Sequence, residues 1–246
     1  LKGDPPRHLR ALPADAMIVA GGDGTLRSML PHLLARDLSV AIVPLGTANN
    51  VARSLGLMAQ FDGLDMPHRQ LDIGFLEGLG EPVPFVEAVG FGAFANLLGR
   101  ETEGASGEDK LQRGRRSLAD QLAEMQPFHL RLCLDPQIVE GRFLAVEVLN
   151  VSHAGPSLVL APDADPGDSC LDIFCIAPEG RDEFLSWLEG SRRTSPPGFR
   201  HRAEHVRVDW DGECNLRIDD RLAARPDAAV RIGIRAGRKI AIGLPD

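Results

Sequence analysis

A short apolar strand that breaks directly into a glycine-rich turn constrains the fold of this chain more than any other feature. Residues Ala16–Ala20 show no polar alternation, which is typical of a strand buried on both faces of a parallel sheet. The turn Gly21–Thr25 (GGDGT) follows, and apolar periodicity predicts a helix from Leu26 to Arg36. Such a strand–turn–helix unit exposes backbone N–H groups where free donors and the helix dipole stabilise a phosphate.

The residue types in the turn agree with that interpretation. Gly21, Gly22 and Gly24 allow the backbone to approach a phosphate closely and to adopt positive φ. Asp23 carries a negative charge, so it cannot bind the phosphate itself; it suits a Mg²⁺ ligand or an acceptor for a hydroxyl group. Taken alone, the turn is equally consistent with a tight connection that has an aspartate cap.

A second turn of the same kind follows a short way downstream. The apolar run 39–43 leads into the loop Pro44–Asn50 (PLGTANN), and helical spacing resumes at 51–57. In this loop Gly46 allows close backbone approach, Thr47 is the predicted N-cap and Asn49 supplies a polar side chain. Two adjacent strand–loop–helix units place both loops at the carboxyl ends of parallel strands, where open α/β sheets bind ligands.

After residue 68 the pattern changes to short strand-like runs separated by turn residues. Helices are predicted only at 116–125 and 181–188, and residues 100–115 are predicted to form a polar loop. The fold class is therefore α/β plus all-β: an α/β domain (1–67), then a β-sandwich or barrel (68–235), with residues 236–246 returning to the first domain. The predicted strands are 71–76, 85–89, 130–134, 143–150, 171–176, 206–210, 215–218, 230–234 and 239–242.

Charge and hydropathy exclude several classes of function. The net charge of −8 argues against nucleic acid as the main partner, because phosphate backbones recruit basic surfaces. No apolar run approaches the roughly 18 residues of a membrane span, and no signal peptide is evident, so a cytoplasmic location is expected. The four cysteines are scattered without zinc-ligand spacing and are expected to be reduced thiols.

GGDGTL followed by PLGTANNVARSLG resembles the diacylglycerol kinase catalytic-domain family, which includes bacterial lipid kinases and sphingosine and ceramide kinases. The segments RQLDIG, FVEAVGFGAFA and ADPGDSCLDIF agree with it in outline. The resemblance implies a Rossmann-like α/β nucleotide domain followed by an antiparallel β-sandwich. It also implies transfer of the ATP γ-phosphoryl group to a lipid hydroxyl in the cleft between these two domains. It also implies transient contact with a lipid alcohol at a membrane surface, and a homodimer is one expected assembly. The family normally has two more βα units before GGDGT, so the nucleotide site without them is expected to be incomplete; the sequence leaves open whether the natural protein carries them.

The resemblance implies roles for individual residues. Gly21, Gly22, Asp23, Gly24 and Thr25 of the first loop would contact nucleotide phosphates and Mg²⁺. The same role falls to residues of the second loop, namely Gly46, Thr47 and Asn49.

A structural Mg²⁺ is implied in the acidic loop that precedes one of the strands. Carried over by position, its ligands would be Asp165, Asp168 and the carbonyl oxygen of Cys170. Oxygen-only ligation suits a hard cation. A solvated acidic turn explains the same residues equally well.

The chain departs from the family where the catalytic chemistry is expected. Arg27-Ser28 stand where the family has Asn-Glu after GGDGTL, and the late Asp-Gly-Glu motif has two candidate positions. Asp211-Gly212-Glu213 matches literally, but we favour Asp219-Asp220-Arg221, which makes the first a hairpin turn. Arg221 then replaces the glutamate and cannot act as a base. Asp219, or Asp220 swinging in, would accept the proton.

Three functions are therefore kept at this point. The first is a lipid kinase that uses ATP and Mg²⁺. The second is a relative that binds nucleotide or lipid with weak or no catalysis, suggested by Arg27 and Arg221. The third is an NAD kinase-like enzyme, which shares the GGDGT turn. We rank it lower because the PLGTANN loop favours the lipid kinases. The GxGxxA match at 90–95 is interpreted as a packed glycine strand, and His153 as a locally hydrogen-bonded side chain.

Overall fold

The computed structural model describes residues 16–36, 38–59, 69–98, 107–190, 195–224 and 230–242. The four helices in these ranges are α1 (Asp23–Arg36), α2 (Asn50–Ser54), α3 (Gly107–Glu124) and α4 (Arg181–Glu189). Strands β1–β8 are Ala16–Gly21, Ser39–Pro44, Arg69–Glu77, Val83–Phe85, Ala88–Gly92, Phe128–Cys133, Ile138–Phe143 and Ala145–Leu149. Strands β9–β16 are His153–Ala154, Leu158–Val159, Leu171–Ile176, Phe199–Ala203, His205–Trp210, Leu216–Ile218, Arg221–Leu222 and Val230–Ile242.

The first domain is built on the parallel pair β1 and β2, in register from Ala16↔Ser39 to Gly21↔Pro44. Helix α1 packs on this pair through its buried face of Leu26, Met29, Leu30 and Leu33. These side chains recur at helical spacing, so their burial is what the sequence periodicity predicts.

The other described strands extend this pair into a larger sheet and build a second sheet that packs on it face to face, while β9 and β10 form a separate two-stranded sheet. The larger sheet has the order β1-β2-β16-β13-β6-β7, with β3 paired to β16 and β4; the second has the order β12-β11-β8-β5-β14-β15. A buried apolar core fills the space between them and includes Phe85, Phe91, Trp210 and Val148. Helices α3 and α4 cover the other face of the second sheet. This arrangement confirms the α/β plus antiparallel β fold class.

Strand β16 links the two parts of the molecule. It pairs with β13 and β3 in an antiparallel manner and reaches β2 at its end, where Ile242 lies beside Val40 in parallel register. The separate strands predicted at 230–234 and 239–242 are therefore wrong, since they form one strand with a register shift between Ala236 and Lys239. The domain boundary proposed at 235/236 falls inside this strand.

Three other predicted elements differ from the structure. Helix α3 begins at Gly107, so the predicted loop 100–115 is wrong over its described part, whereas residues 99–106 lie outside the described residues. The run 143–150 is β8 alone, and the exposed edge strand β7 was missed. The run 85–89 spans the end of β4 and the start of β5. No helix in the described ranges is long and apolar enough to span a bilayer.

Candidate active site

The two glycine loops lie against each other at the carboxyl ends of β1 and β2. Leu45 donates its backbone N–H to the carbonyl oxygen of Gly21 at 3.1 Å. A Cβ atom built on Gly46 would lie 2.5 Å from the Cα of Gly22, so only glycine fits at this contact. The expectation that both loops meet at one edge of the sheet is confirmed.

Asp23 joins the two loops. Its carboxylate accepts backbone hydrogen bonds from Asn50 at 2.9 Å and from Val51 at 3.0 Å, which are the first two residues of α2. Burial raises its pKa, against the effect of these hydrogen bonds, and the charge of Asp220 adds to the increase. Asp23 therefore caps a helix that begins 27 positions later in the chain.

Thr47 was the predicted N-cap of the helix after the second loop, and this prediction is wrong. The residue at the N-cap position of α2 is Asn49, in a left-handed conformation (φ 49°, ψ 46°), and its side chain does not cap the helix. The Asn49 amide instead folds back onto Gly46, accepting its N–H at 2.9 Å and donating to its carbonyl oxygen at 2.7 Å. Thr47 lies half-buried between them.

Asp219 lies in the turn between β14 and β15 and is almost fully buried. Its carboxylate accepts backbone hydrogen bonds from Val86 at 3.1 Å, Glu87 at 2.8 Å and Ala88 at 3.2 Å. Burial raises the pKa of Asp219 to about 6, against the effect of those donors. Both oxygens are thus engaged with the backbone, which favours a positioning role for Asp219 over the proton acceptor that the sequence suggested.

Asp220 reaches the GGDGT turn from the same β14–β15 turn. Its Oδ1 lies 2.5 Å from Nε of Arg27 on α1, and its side chain is 50% exposed. A Cβ built on Gly24 would lie 2.7 Å from Asp220 Oδ2, so this carboxylate rests on the first turn of α1. Asp220 is therefore the accessible carboxylate of the pair.

The literal Asp211-Gly212-Glu213 match lies elsewhere. Asp211 accepts the backbone N–H of Glu213 at 3.0 Å, which closes a local turn. That turn lies just before the start of β14, where the carbonyl oxygen of Asn215 accepts the backbone N–H of Gly92. Asp219 follows the other end of β14, where it donates its backbone N–H to the carbonyl oxygen of Ala88. The alignment on Asp219-Asp220-Arg221 thus agrees with the geometry of the loops.

A buried charge cluster behind the site was missed by sequence reasoning. Arg217 donates from Nη2 to Glu147 at 2.5 Å, and from Nη1 to Glu87 at 3.3 Å and to the carbonyl oxygen of Asp219 at 2.7 Å. Burial raises the pKa of Glu87 to about 8 and also raises that of Glu147. Burial alone would lower the pKa of Arg217, but the two carboxylates raise it above its ordinary value.

Strand register explains how this cluster assembles. Arg217 pairs with Gly90, and Gly90 pairs with Glu147, so the three residues form one row across β14, β5 and β8. A Cβ at Gly90 would lie 2.2 Å from the Glu147 carboxylate, so the missing side chain lets the two charges meet across the strand. The packed glycine strand predicted at 90–95 is confirmed for residues 90–92 of β5, whereas residues 93–95 lie beyond the end of that strand. Glu87 extends the cluster to the second loop, accepting a hydrogen bond from Asn50 at 3.0 Å.

The acidic loop does not present its carboxylates as a metal cage. Asp165 accepts the N–H of Gly167 at 3.0 Å, and Asp168 accepts that of Cys170 at 2.9 Å and is ion-paired with Arg202. Among the described residues, no three His, Cys, Asp or Glu side chains cluster closely enough to hold a metal. In this arrangement Arg202 already supplies positive charge to Asp168. Ligation by Asp165, Asp168 and Cys170 stays a prediction.

His153 links helix α2 to the sandwich. Its Nδ1 lies 2.9 Å from Oγ of Ser152 and 3.2 Å from Oγ of Ser54 on α2. Burial, with a contribution from Arg53, lowers its pKa to about 4. The histidine is therefore neutral and locally hydrogen-bonded, as expected.

Among the described residues, a groove of about 740 Å³ opens far from the loops, along the edges of β7 and β12. Ile138 and Phe199 are exposed in it. None of its lining residues belongs to the GGDGT or PLGTANN loops, so it is separate from the candidate active site.

Two family models match the chain. The diacylglycerol kinase catalytic domain matches residues 4–71, and the YegS C-terminal NAD kinase beta sandwich-like domain matches residues 89–232. The first match contains both glycine loops, and the second contains the Asp219–Asp220 turn and, of the buried charge cluster, Glu147 and Arg217.

Curated relatives agree with these matches. A diacylglycerol kinase of Mycobacterium tuberculosis is 30% identical over 73% of this chain and 62% of its own length. A probable YegS-like lipid kinase of Pseudomonas aeruginosa is 33% identical over 90% of this chain and 77% of its own length. The chain thus spans about three fifths to three quarters of these relatives.

The fold also matches a solved structure. A putative diacylglycerol kinase from Bacillus anthracis superposes with a TM-score of 0.72, covering 97% of this chain and 80% of that one. The sequence identity is 19%, so this likeness supports the fold.

Proposed function

Since this chain belongs to the diacylglycerol kinase catalytic-domain family, with YegS-like lipid kinases among its relatives, we propose that it is an ATP-dependent lipid kinase. The γ-phosphoryl group of ATP would be transferred to the hydroxyl group of a diacylglycerol-like lipid. The observation that carries the proposal is the convergence of three segments: the GGDGT turn, the PLGTANN loop and the Asp219–Asp220 turn. A kinase of this type requires phosphate-binding backbone and a carboxylate at one place.

The loops would hold the nucleotide phosphates. The first turn of α1 supplies backbone N–H groups near Gly22 and Gly24, and the dipole of a 14-residue helix favours an anion there. Thr25 and Thr47 carry the hydroxyl groups closest in sequence to the two turns. Asn49 would act indirectly, because its amide is already used to fix the conformation of Gly46.

Mg²⁺ is proposed as the companion of the nucleotide. Asp23 is the carboxylate inside the first loop; each of its oxygens accepts one backbone N–H group and keeps a further lone pair, which suits a hard cation. When bound, such an ion would neutralise charge on the phosphate oxygens. The residues of the chain do the rest, with Asp23 keeping α2 in place and Asp219 fixing the turn that carries Asp220.

Asp220 is proposed as the proton acceptor. It is half exposed, whereas both oxygens of Asp219 are engaged with backbone N–H groups. Accepting the proton of a lipid hydroxyl requires an ionised carboxylate that can reach the cleft, and positioned bases of this type typically contribute about 10²–10⁴-fold to the rate. Asp220 must first leave Arg27, because that ion pair occupies one of its oxygens.

A second candidate function is binding of nucleotide or lipid without efficient transfer. Three observations favour it: Asp219 is buried, Asp220 is paired with Arg27, and Arg221 stands where the family has glutamate. An NAD kinase-like activity is the remaining alternative. A cytoplasmic location, transient membrane contact and a homodimer stay predictions.

The test is transfer of labelled phosphate from γ-³²P-ATP by the full-length protein with Mg²⁺. Three acceptors are compared: vesicles containing diacylglycerol, vesicles of phosphatidylcholine alone, and NAD in solution. Label in diacylglycerol that falls at least about 100-fold in Asp220→Asn supports the kinase, the low end of the effect expected for a positioned base. Label in NAD would support the NAD kinase alternative, and nucleotide binding without any transfer would support the binding protein.

A further inference from the structure

Two of the positions at which this chain departs from the family pattern are in direct contact. Arg27 follows GGDGTL where the family has asparagine, and Asp220 occupies the central position of the late acidic motif, where the family has glycine. They are 193 positions apart in the chain, and Nε of Arg27 lies 2.5 Å from Oδ1 of Asp220. A cation and an anion therefore meet at the mouth of the GGDGT turn.

The pair is placed so that a bound anion would disturb it. Asp220 Oδ2 rests over Gly24 on the first turn of α1, where backbone donors and the helix dipole attract negative charge. The carboxylate thus lies where phosphate oxygens of a nucleotide would approach. Asp220 is 50% exposed and can move, whereas Arg27 is 14% exposed and is anchored on α1.

The surrounding charges favour displacement of the Asp220 carboxylate by a bound nucleotide over binding of the nucleotide beside an intact Arg27–Asp220 pair. Asp23 lies close enough to Asp220 for their like charges to interact unfavourably. A nucleotide triphosphate would add further negative charge at the same turn. Arginine binds phosphate through a planar fork of N–H donors, so Arg27 can pair with the phosphate in place of the carboxylate.

We propose that Arg27 is a nucleotide-phosphate-binding residue and that Asp220 occupies it until the nucleotide displaces the carboxylate. This inference rests on the proposed function, because it assumes that the two loops bind a nucleotide. Displacement also frees the Asp220 carboxylate at the moment when the phosphoryl group arrives. Binding of the nucleotide and release of the proton acceptor are then one event.

The proposed exchange predicts opposite changes in nucleotide affinity when Asp220 and when Arg27 is replaced. Asp220→Asn removes the competing carboxylate and one of the like charges, so the affinity for the phosphate chain rises, by roughly tenfold. Arg27→Gln removes the cation and leaves the carboxylate, so affinity falls by a similar factor of roughly ten. Arg27→Lys retains the charge and restores part of the loss. A contact that is only structural would move both variants in the same direction.

The experiment is isothermal titration of the full-length protein with MgATP and, separately, with inorganic tripolyphosphate. Glu140→Gln is the matched control, because Glu140 is 49% exposed and pairs with Arg131 on the distant edge of the sandwich. Circular dichroism and thermal melting establish that each variant is folded. Tighter binding by Asp220→Asn with weaker binding by Arg27→Gln supports the exchange.

Other outcomes overturn it. If the wild-type protein binds MgATP and Asp220→Asn binds no more tightly, the exchange is wrong and the proposed kinase function stands. If neither the wild-type protein nor Asp220→Asn binds either probe, the exchange and the nucleotide site both fail. If transfer to lipid is lost in Asp220→Asn while its MgATP affinity rises, the exchange and the proton-acceptor role are both supported.

Discussion

Replacement of Arg217 by methionine is expected to destabilise the protein strongly, because it strands two buried carboxylates on the face of the second sheet that points away from the core between the sheets. The side chain of Arg217 is 4% exposed, that of Glu147 is fully buried and that of Glu87 is 8% exposed. Methionine fills much of the same volume but satisfies neither carboxylate. Breaking a buried ion pair from one side costs about 3–5 kcal/mol, a large part of the roughly 5–15 kcal/mol that stabilises a typical domain.

The magnitude depends on pH in a defined direction. Without the guanidinium, burial holds the pKa of Glu147 and Glu87 above the value of an unfolded chain, as it already does with Arg217 in place. A raised pKa in the folded state gives stability that is present below the unfolded pKa and is lost as pH rises. The cost of Arg217→Met is therefore larger at pH 8 than at pH 5, where the carboxylates are more readily protonated.

Urea denaturation of wild type and variant at both pH values measures this free-energy difference. Arg131→Met is the matched control, since Arg131 and Glu140 are 3.6 Å apart and about half exposed, and such pairs contribute about 0–1 kcal/mol. A loss below about 1 kcal/mol in Arg217→Met, or an equal loss at both pH values, would refute the reasoning. A double variant Arg217→Met/Glu147→Met checks it, because only Glu87 then stays buried without its ion-pair partner, so part of the lost stability should be recovered.

Three further predictions follow from the same geometry. Glu87→Gln should flatten the pH dependence of unfolding between about pH 4.5 and 8, because the raised pKa of Glu87 makes the wild-type fold lose stability as pH rises through that window; an unchanged slope in urea titrations would contradict it. His153→Gln should remove acid sensitivity between pH 6.5 and about 4, because the lowered pKa of His153 makes the fold lose stability as pH falls there, and thermal melts across that window detect it. Gly46→Ala should cost about 1–3 kcal/mol and weaken nucleotide binding, since its Cβ would meet the Gly22 backbone, whereas Gly180→Ala, where nothing lies within 4 Å, is the control; equal melting temperatures would count against the loop contact.

Local elements of the first domain could be predicted from the sequence because their signals are local. The buried strand, the glycine turn and the apolar face of α1 lie within a few residues of one another, and the structure confirms them. By contrast, β7 is an exposed edge strand in which only Phe143 is buried, so it carries little apolar periodicity. Helix α3 was predicted too short because its buried residues, Leu111, Leu118 and Leu122, are sparse in a polar sequence.

The candidate site was only partly predictable for a different reason. The turns and the Asp219–Asp220 segment were identified as motifs, but their contacts depend on partners far away in the chain. Asp23 caps α2, the helix of the next strand–loop–helix unit, so Thr47 is not the N-cap that the sequence predicted. Arg217 and Glu147 are 70 positions apart and meet only because β14, β5 and β8 are neighbours with a glycine between them. Their one sequence signal was a charge inside an otherwise apolar strand.

The central claim is that the GGDGT turn, the PLGTANN loop and the Asp219–Asp220 turn together form one nucleotide site. Hydrogen–deuterium exchange of the full-length protein, with and without MgATP, tests it most directly because it reports protection segment by segment. The account predicts slower exchange in peptides that cover residues 21–27, 45–51 and 216–222, and unchanged exchange in β7 and β12. MgATP-dependent protection confined to other segments, or protection of one loop without the other two segments, would contradict it.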